Sequence, residues 1–363
     1  MRTYASKRAK GRIIPLRIVE TELGNEKSAK LDQNSEAMLM MNRQFSVGVF
    51  AALFAAFAFS LNFVVPFIIG DFSTFDFALI RHVVSATVGV FILFSERKTA
   101  LRHLTFQNAM AATGLAFIGY VGYFLTVTGA AIYAGPVIAP AFLGLVPIVL
   151  AVIGNRGQAS LSWRFLMTPL ALVAIGLVLV NGTAFTADSL GSVRSLWIGI
   201  PLALAAVGLW VWFAIANQAA LAIRPAMPSG IWSASILIGG GLQMLVFYPV
   251  GAAMDLFQLP KLGFCWEAAG SLYLWGTSLA LMATVCGVWA RNVASRTLPV
   301  ALAAQLIVSE TAFGVIGGLV VHARWPTMME AAGVAVLIAG VVLAIRVFYG
   351  QQAQMNEAIA QPS

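Results

Sequence analysis

The sequence predicts an all-α integral membrane protein, with ten transmembrane helices arranged as two inverted five-helix repeats. Three observations carry that expectation. Of 363 residues, 60% are hydrophobic and only 10% charged, where a soluble domain carries about 25% charged residues. The apolar residues gather in runs of roughly 20, the length a helix needs to cross a hydrocarbon core about 30 Å thick. Most of the basic residues fall on one side of those runs. The runs are apolar all round rather than alternating, which argues against a membrane β-barrel.

Residues 1–44 differ from everything that follows. They carry nine Lys/Arg and five acids without an apolar run, and read as a disordered basic cytoplasmic tail. No apolar stretch precedes a small-residue cleavage site, so no secretory signal is expected. Met38, Met40 and Met41 stand just before the first apolar run, which leaves open whether 1–37 belong to the mature chain. From there the apolar segments are 45–69, 75–94, 108–128, 135–153, 165–181, 196–217, 230–252, 272–290, 300–320 and 328–347. The first repeat is 45–181, the second 182–347, and 348–363 form a C-terminal cytoplasmic tail.

Orientation follows from charge. With the N-terminus inside, eighteen of the 22 Lys/Arg lie on the inner side, including Arg97, Arg102, Arg156, Arg164, Arg224, Arg291, Arg296 and Arg346. Arg194, Lys261 and Arg324 lie outside, and Arg81 falls within the second segment. This is a strong positive-inside bias, so both termini are expected in the cytoplasm and the membrane is expected to be a bacterial inner membrane. The net charge of +8 is thereby a topology signal, and no nucleic-acid partner is expected.

Five helices followed by five more must be inverted relative to each other, a recurring design in transporters whose site lies near the bilayer midplane. Two pairs of stretches support the repeat, each about 164 residues apart in a family of folds built this way. Residues 134–139 (AGPVIA) parallel 298–304 (LPVALAA), and 172–179 (LVAIGLVL) parallel 336–343 (VLIAGVVL).

Four stretches then resemble one family. Phe57 to Val64 is similar to a small-residue first helix bearing an Asn, and Phe77 to Arg81 to a second helix bearing an Arg. Pro299 to Glu310 resembles a ninth helix of small residues ending in Glu, and Gly333 to Gly340 a last helix with a Gly pair. Together these resemble the ten-helix branch of the drug/metabolite transporter superfamily, with two EamA-type repeats, over roughly 45–347. The chain departs from that pattern at Asn155 and at His322-Ala323-Arg324, where the family often has Glu, and at Thr311, where a Pro usually follows the Glu. The resemblance implies export of amino acids or other metabolites, with cavity residues on helices three, four, eight and nine and no cofactor.

Two formal charges are expected inside the spans, Arg81 and Glu310. Each costs about 2.5–3.5 kcal/mol in hydrocarbon, so both should face protein or water. Glu310 lies ten residues into its helix, about 15 Å deep at 1.5 Å per residue. There it is a candidate for proton coupling or for pairing a cationic substrate group, or else a structural Glu bonded to a neighbouring helix. Arg81 enters from the outer side and is able to snorkel, to bind a carboxylate or phosphate, or to neutralise Glu310. His82 points about 100° away from it and reads as a packing residue.

Further candidates for substrate or coupling contacts are uncharged. Asn62 precedes Pro66 by four residues, where a proline frees the carbonyl. Tyr120 and Tyr123 share a helix face at i, i+3. Gln305 sits about 140° round the helix from Glu310, and Trp289 lies near the inner end of the eighth segment. Each reads equally as glue between helices, as do Gln243 and Asn292. Pro136, Pro140 and Pro147 are expected to bend the fourth helix, either for gating or as a permanent kink.

Other chemistries are absent. Three His and two Cys make a metal centre or disulfide framework unexpected, no nucleotide-binding Gly-x4-Gly-Lys-Ser/Thr loop occurs, and no nucleophile constellation suggests an enzyme. The expected function is a secondary transporter exporting a small organic metabolite by alternating access, driven by proton exchange or the substrate gradient. Its expected partners are that small molecule, protons and the lipid bilayer, and the expected state is monomer or homodimer. An exchanger of nucleotide-sugar or phosphorylated compounds is an alternative that needs several basic cavity residues, where only Arg81 stands. A non-transporting structural subunit or membrane enzyme is the alternative from another class.

Overall fold

Inside a bilayer every backbone N–H and C=O must find its partner within the chain, and a helix achieves this without leaving an edge. The computed structural model describes residues 40, 42–64, 69–134, 142–154, 163–182, 193–321 and 323–360, and among them all regular structure is helical. Apart from short helices at Arg97–His103 and Leu259–Leu262, the helices described are, in chain order, α1 (Asn42–Ser60), α2 (Thr74–Ser95), α3 (106–134), α4 (Val146–Gly154), α5 (Trp163–Gly182) and α6 (Val193–Ala222). They continue with α7 (Ser229–Ala253), α8 (Trp266–Thr297), α9 (Val300–Val321) and α10 (Met328–Ala360).

Eight of these, all but α4 and α5, are long and apolar enough to cross a membrane. The apolar part of α5 is the shorter stretch Phe165–Val180. The expected fourth segment lies partly outside the described residues, as do Pro136 and Pro140. Pro147 is the second residue of α4, just after a turn at residues 144–145. Residues 142–143 before that turn are helical as well, and a proline at the start of α4 gives up an N–H that has no helical partner there. Large apolar side chains point outward along the spans, Val246 at 76% and Val178 at 70% exposure, as a lipid-facing surface requires.

Two compact units are present. The smaller, 1–46 with 349–363, contains the Phe45 and Tyr349 rings at 5.6 Å between centroids, and α10 runs through to Ala360 where a tail is expected from 348. The larger, 47–348, holds the helix bundle.

Small residues let its helices approach closely. A Cβ on Gly241 of α7 would sit 2.3 Å from that of Ala86 on α2. A Cβ on Gly119 of α3 would meet the Phe213 ring of α6 at 2.3 Å, and one on Gly287 of α8 the Phe59 ring of α1 at 2.8 Å. Gly176 of α5 lies against Leu337 of α10, and Val146 and Leu150 of α4 pack with Ala304 of α9. Two helices contain a widened π turn, Phe117–Val121 in α3 and Ala280–Cys286 in α8.

At one end of the bundle the Asp76 carboxylate is a staple. It accepts from the Ser73 backbone and hydroxyl at 2.9 Å each, closing the start of α2, and from the backbone N–H groups of Gln258 (2.9 Å) and Leu259 (3.0 Å). The side chain is fully buried, so its charge is compensated entirely by these donors. Asp76→Ala is expected to destabilise the protein by about 3 kcal/mol, because it strands two buried backbone donors. Lys261→Ala, which breaks only the exposed pair with Asp255 (2.6 Å), should cost under about 1 kcal/mol. Thermal unfolding of the two variants in detergent makes the comparison.

Candidate functional site

The ninth helix carries the first irregularity that matters. It is two pieces, Val300–Ile307 and Ser309–Val321, joined at Val308 by tight turns in which Val308 N–H donates to Gln305 O (3.2 Å) and Thr311 N–H to Val308 O (3.0 Å). Glu310 therefore lies in the first turn of the second piece, two residues past the tightened turn, where the helix dipole favours a carboxylate. On the same face, Ala303, Ile307 and Glu310 line an enclosed cavity of about 10 Å³, about the room of one water molecule. Its other walls are Ala52, Ala55, Ala56 and Phe59 of α1 and Arg291 and Ala294 of α8.

Arg291 overturns its expected place in an inner loop. It is 7% exposed and lies inside α8. Pro299 caps the start of α9 two residues past Thr297, which leaves no length for a loop, so the helix continues through the polar stretch. The neighbouring face of α8 is held by hydrogen bonds. Asn217 Nδ2 donates to Asn292 Oδ1 (2.7 Å), Asn292 Nδ2 to Ser233 Oγ (2.8 Å), and Trp232 Nε1 to Asn217 Oδ1 (2.9 Å). One turn on, Arg296 Nη2 donates to Met227 O at 2.6 Å. With Asn292 fixed between α6 and α7, Arg291 points about 100° round the helix, into the cavity.

Arg291 and Glu310 line one small space and lie within electrostatic reach of each other. Among the described residues neither forms a hydrogen bond or a contact ion pair with the other. Tyr120 lies within reach of both Arg81 and Arg291, and Tyr123 of both Arg81 and Glu310. Arg81 is oriented by Asn62, whose Oδ1 accepts from Arg81 Nη1 while its Nδ2 donates to Phe59 O (2.8 Å). The π turn of α3 contains Tyr120, and such turns commonly mark functional sites. Aromatic rings close the same region: Tyr123 lies 4.9 Å from Trp210 and Tyr120 5.6 Å from Phe213, while Phe59 meets Trp210 edge-on at 6.5 Å.

Of the residues singled out from sequence, Arg81, Asn62, Tyr120, Tyr123 and Glu310 thus come together. Gln305 is fully buried on another face, with neither amide atom hydrogen bonded. Trp289 is 50% exposed and points away from the cavity, because it precedes the inward-facing Arg291 by only two residues. His82 bonds through Nδ1 to Ala78 O (2.7 Å) one turn back in α2, and Gln243 of α7 donates through Nε2 to Thr113 O of α3 (2.7 Å); both are packing contacts. Pro66 lies outside the described residues. Arg291, Phe59 and the stacking role of Trp210 were not legible from span assignment. The signal for Arg291 was polar residues recurring at helical spacing, Arg291 with Ser295 and Asn292 with Arg296, directly ahead of a Pro.

No family model matches the sequence. The chain is similar to the inner membrane protein YtfF of Escherichia coli (strain K12), 26% identical over 308 residues, which are 82% of this chain and 95% of the relative. A solved structure described as "Crystal structure of protein" overlays with a TM-score of 0.67 at 14% identity, covering 82% of this chain and 96% of that one. At that identity the likeness is one of fold alone.

Replacing both charges by apolar side chains, Arg291→Met with Glu310→Leu, is expected to leave the thermal midpoint unchanged or raised, since an apolar replacement of a sheltered pair is typically neutral or stabilising by about 1–4 kcal/mol. Arg291→Met alone should lower it by about 3 kcal/mol, by leaving one buried charge without its counterpart. Differential scanning fluorimetry of the two variants checks both.

Proposed function

We propose that the chain is a multi-pass inner-membrane secondary transporter, with ten helices in two inverted five-helix repeats that move a small organic metabolite by alternating access. The observation that carries this reading is the pair Arg291 and Glu310, lining one enclosed cavity amid apolar helices. Charges at such depth are costly, and they characteristically mark substrate or proton paths. The likeness to an inner membrane protein over most of both chains supports the location.

Helix pairing supports the repeat. The contacts of α2 with α7, α4 with α9 and α5 with α10 each join a helix to the one five places on. The contacts of α3 with α6 and of α8 with α1 exchange the two halves, each through a glycine against a phenylalanine. A two-fold axis in the membrane plane produces this pattern. The π turns begin at residues 117 and 280, an offset that agrees with the spacing of the sequence parallels. On this reading Glu310 exchanges protons, Arg81 and Arg291 hold the substrate, and both termini are cytoplasmic by the distribution of Lys and Arg.

Proteoliposomes holding the full chain, screened with amino acids, amines and nucleotides with and without a pH gradient, test the proposal. At least one class should accumulate, and Glu310→Gln should lose the response to the gradient. Absence of transport for every class would overturn the transporter reading. Transport by Glu310→Gln with the gradient response intact would remove the coupling role from Glu310.

A further inference from the structure

The charges around the cavity are unequal. Arg81 and Arg291 bring two positive charges, Glu310 one negative, and Tyr120 and Tyr123 are neutral phenols beside them. Arg81 spends one guanidinium N–H on Asn62, whereas Arg291 has neither a hydrogen bond nor a contact ion pair among the described residues. A buried guanidinium offers five donors in a planar fork that matches a carboxylate, and leaving them unanswered carries a desolvation cost. Glu310 is the nearest acid, yet it stands across the cavity from Arg291 instead of closing on it. The fork is thus kept available in a space bounded otherwise by alanines, Ile307 and the Phe59 ring.

We infer that Arg291 receives the carboxylate of a small organic anion with an apolar body, and that the anion and a proton on Glu310 occupy the site together. This rests on the transporter reading and specifies its substrate charge and the sign of its coupling. An anion seated on Arg291 places a second negative charge beside Glu310. Like charges at such separation disfavour each other, so the anion favours protonated Glu310. By reciprocity, protonated Glu310 favours the anion. An amine would meet the opposite rule, competing with the proton and facing two guanidinium groups. The groups facing Glu310 are Arg291 from α8 and Tyr123 from α3; those facing Arg291 are Glu310 from α9 and Tyr120 from α3. None of them reverses this sign. Co-binding couples proton and anion in one direction, so an inward proton gradient drives uptake of the anion. The cavity as it stands has room for only about one water, so α1 and α9 must part to admit it.

The test uses the purified full chain in detergent, titrated with butanoate and 3-phenylpropanoate, each beside its amide and its primary amine, and followed by tryptophan fluorescence. The carboxylates are expected to bind about tenfold or more tightly than their amides and amines. Their binding should be at least about fivefold tighter near pH 6 than near pH 8, the low end of ordinary coupling between two sites. The pH dependence should be absent from Glu310→Gln, and Arg291→Lys, which keeps the charge but loses the fork, should weaken carboxylate binding about tenfold. Should Arg291→Lys fail to give monodisperse protein, the wild-type ranking of carboxylate, amide and amine decides. Tighter binding of the amines, carboxylate binding that strengthens with rising pH, or unchanged binding in Arg291→Lys would each overturn the inference. If none of the six probes binds while a neutral or cationic metabolite is transported in proteoliposomes, the inference falls and the transporter reading stands. If no class is transported, both fall.

Discussion

A guanidinium and a carboxylate held apart in an apolar helix bundle impose the constraint on which the rest of the site depends. Arg291 is buried and Glu310 half-buried, and among the described residues no direct contact neutralises the pair. Each is instead positioned by the helix that carries it. Glu310 sits in the first turn after the tightened turn at Val308, where the helix dipole favours its charge. Arg291 is aimed by the hydrogen-bonded face of α8, where Asn292 is tied to α6 and α7. The alanines of α1 then bring the two halves of the cavity close without filling it.

The ends and the middle of the bundle are held by different forces. One end is pinned by the Asp76 carboxylate and the other by Asn217, Asn292, Ser233 and Arg296, all through short hydrogen bonds in buried surroundings. Between them the helices meet through small residues and aromatic edges, contacts individually worth little. The backbone irregularities, the π turns of α3 and α8 and the break in α9, fall in this middle zone. Charge, weak packing and irregular backbone therefore coincide where a substrate would have to be admitted.

Much of the fold was legible before any coordinates. Segment boundaries for α2, α7 and α9 agree with the helices within a few residues, because runs of about 20 apolar residues have only one stable form in a bilayer. Arg81, Glu310, Asn62, Tyr120 and Tyr123 were identifiable because polar side chains stand out in such runs. Arg291 was not, since its neighbours Asn292, Ser295 and Arg296 give that stretch the composition of an inner loop. Trp289 was a candidate for its chemistry and is turned outward, which only the phase of α8 decides. Pro147 follows a turn at residues 144–145 and is the second residue of α4, while Pro136 and Pro140 lie outside the described residues.

Composition and periodicity by themselves determined that this chain is helical, that its helices are apolar all round, and which few polar side chains must be sheltered from lipid. They could do so because the energetic penalty for exposed backbone and charge in hydrocarbon depends on residue type and position along one segment. Tertiary structure alone decided which sheltered groups meet. The approach of Arg291 to Glu310, the seating of Asn62 on Arg81, and the tilted contact of Tyr123 with Trp210 depend on how α1, α2, α3, α6, α8 and α9 rotate against one another. That rotation is set by close contacts between glycine, alanine and phenylalanine far apart in sequence, and a single span does not encode it.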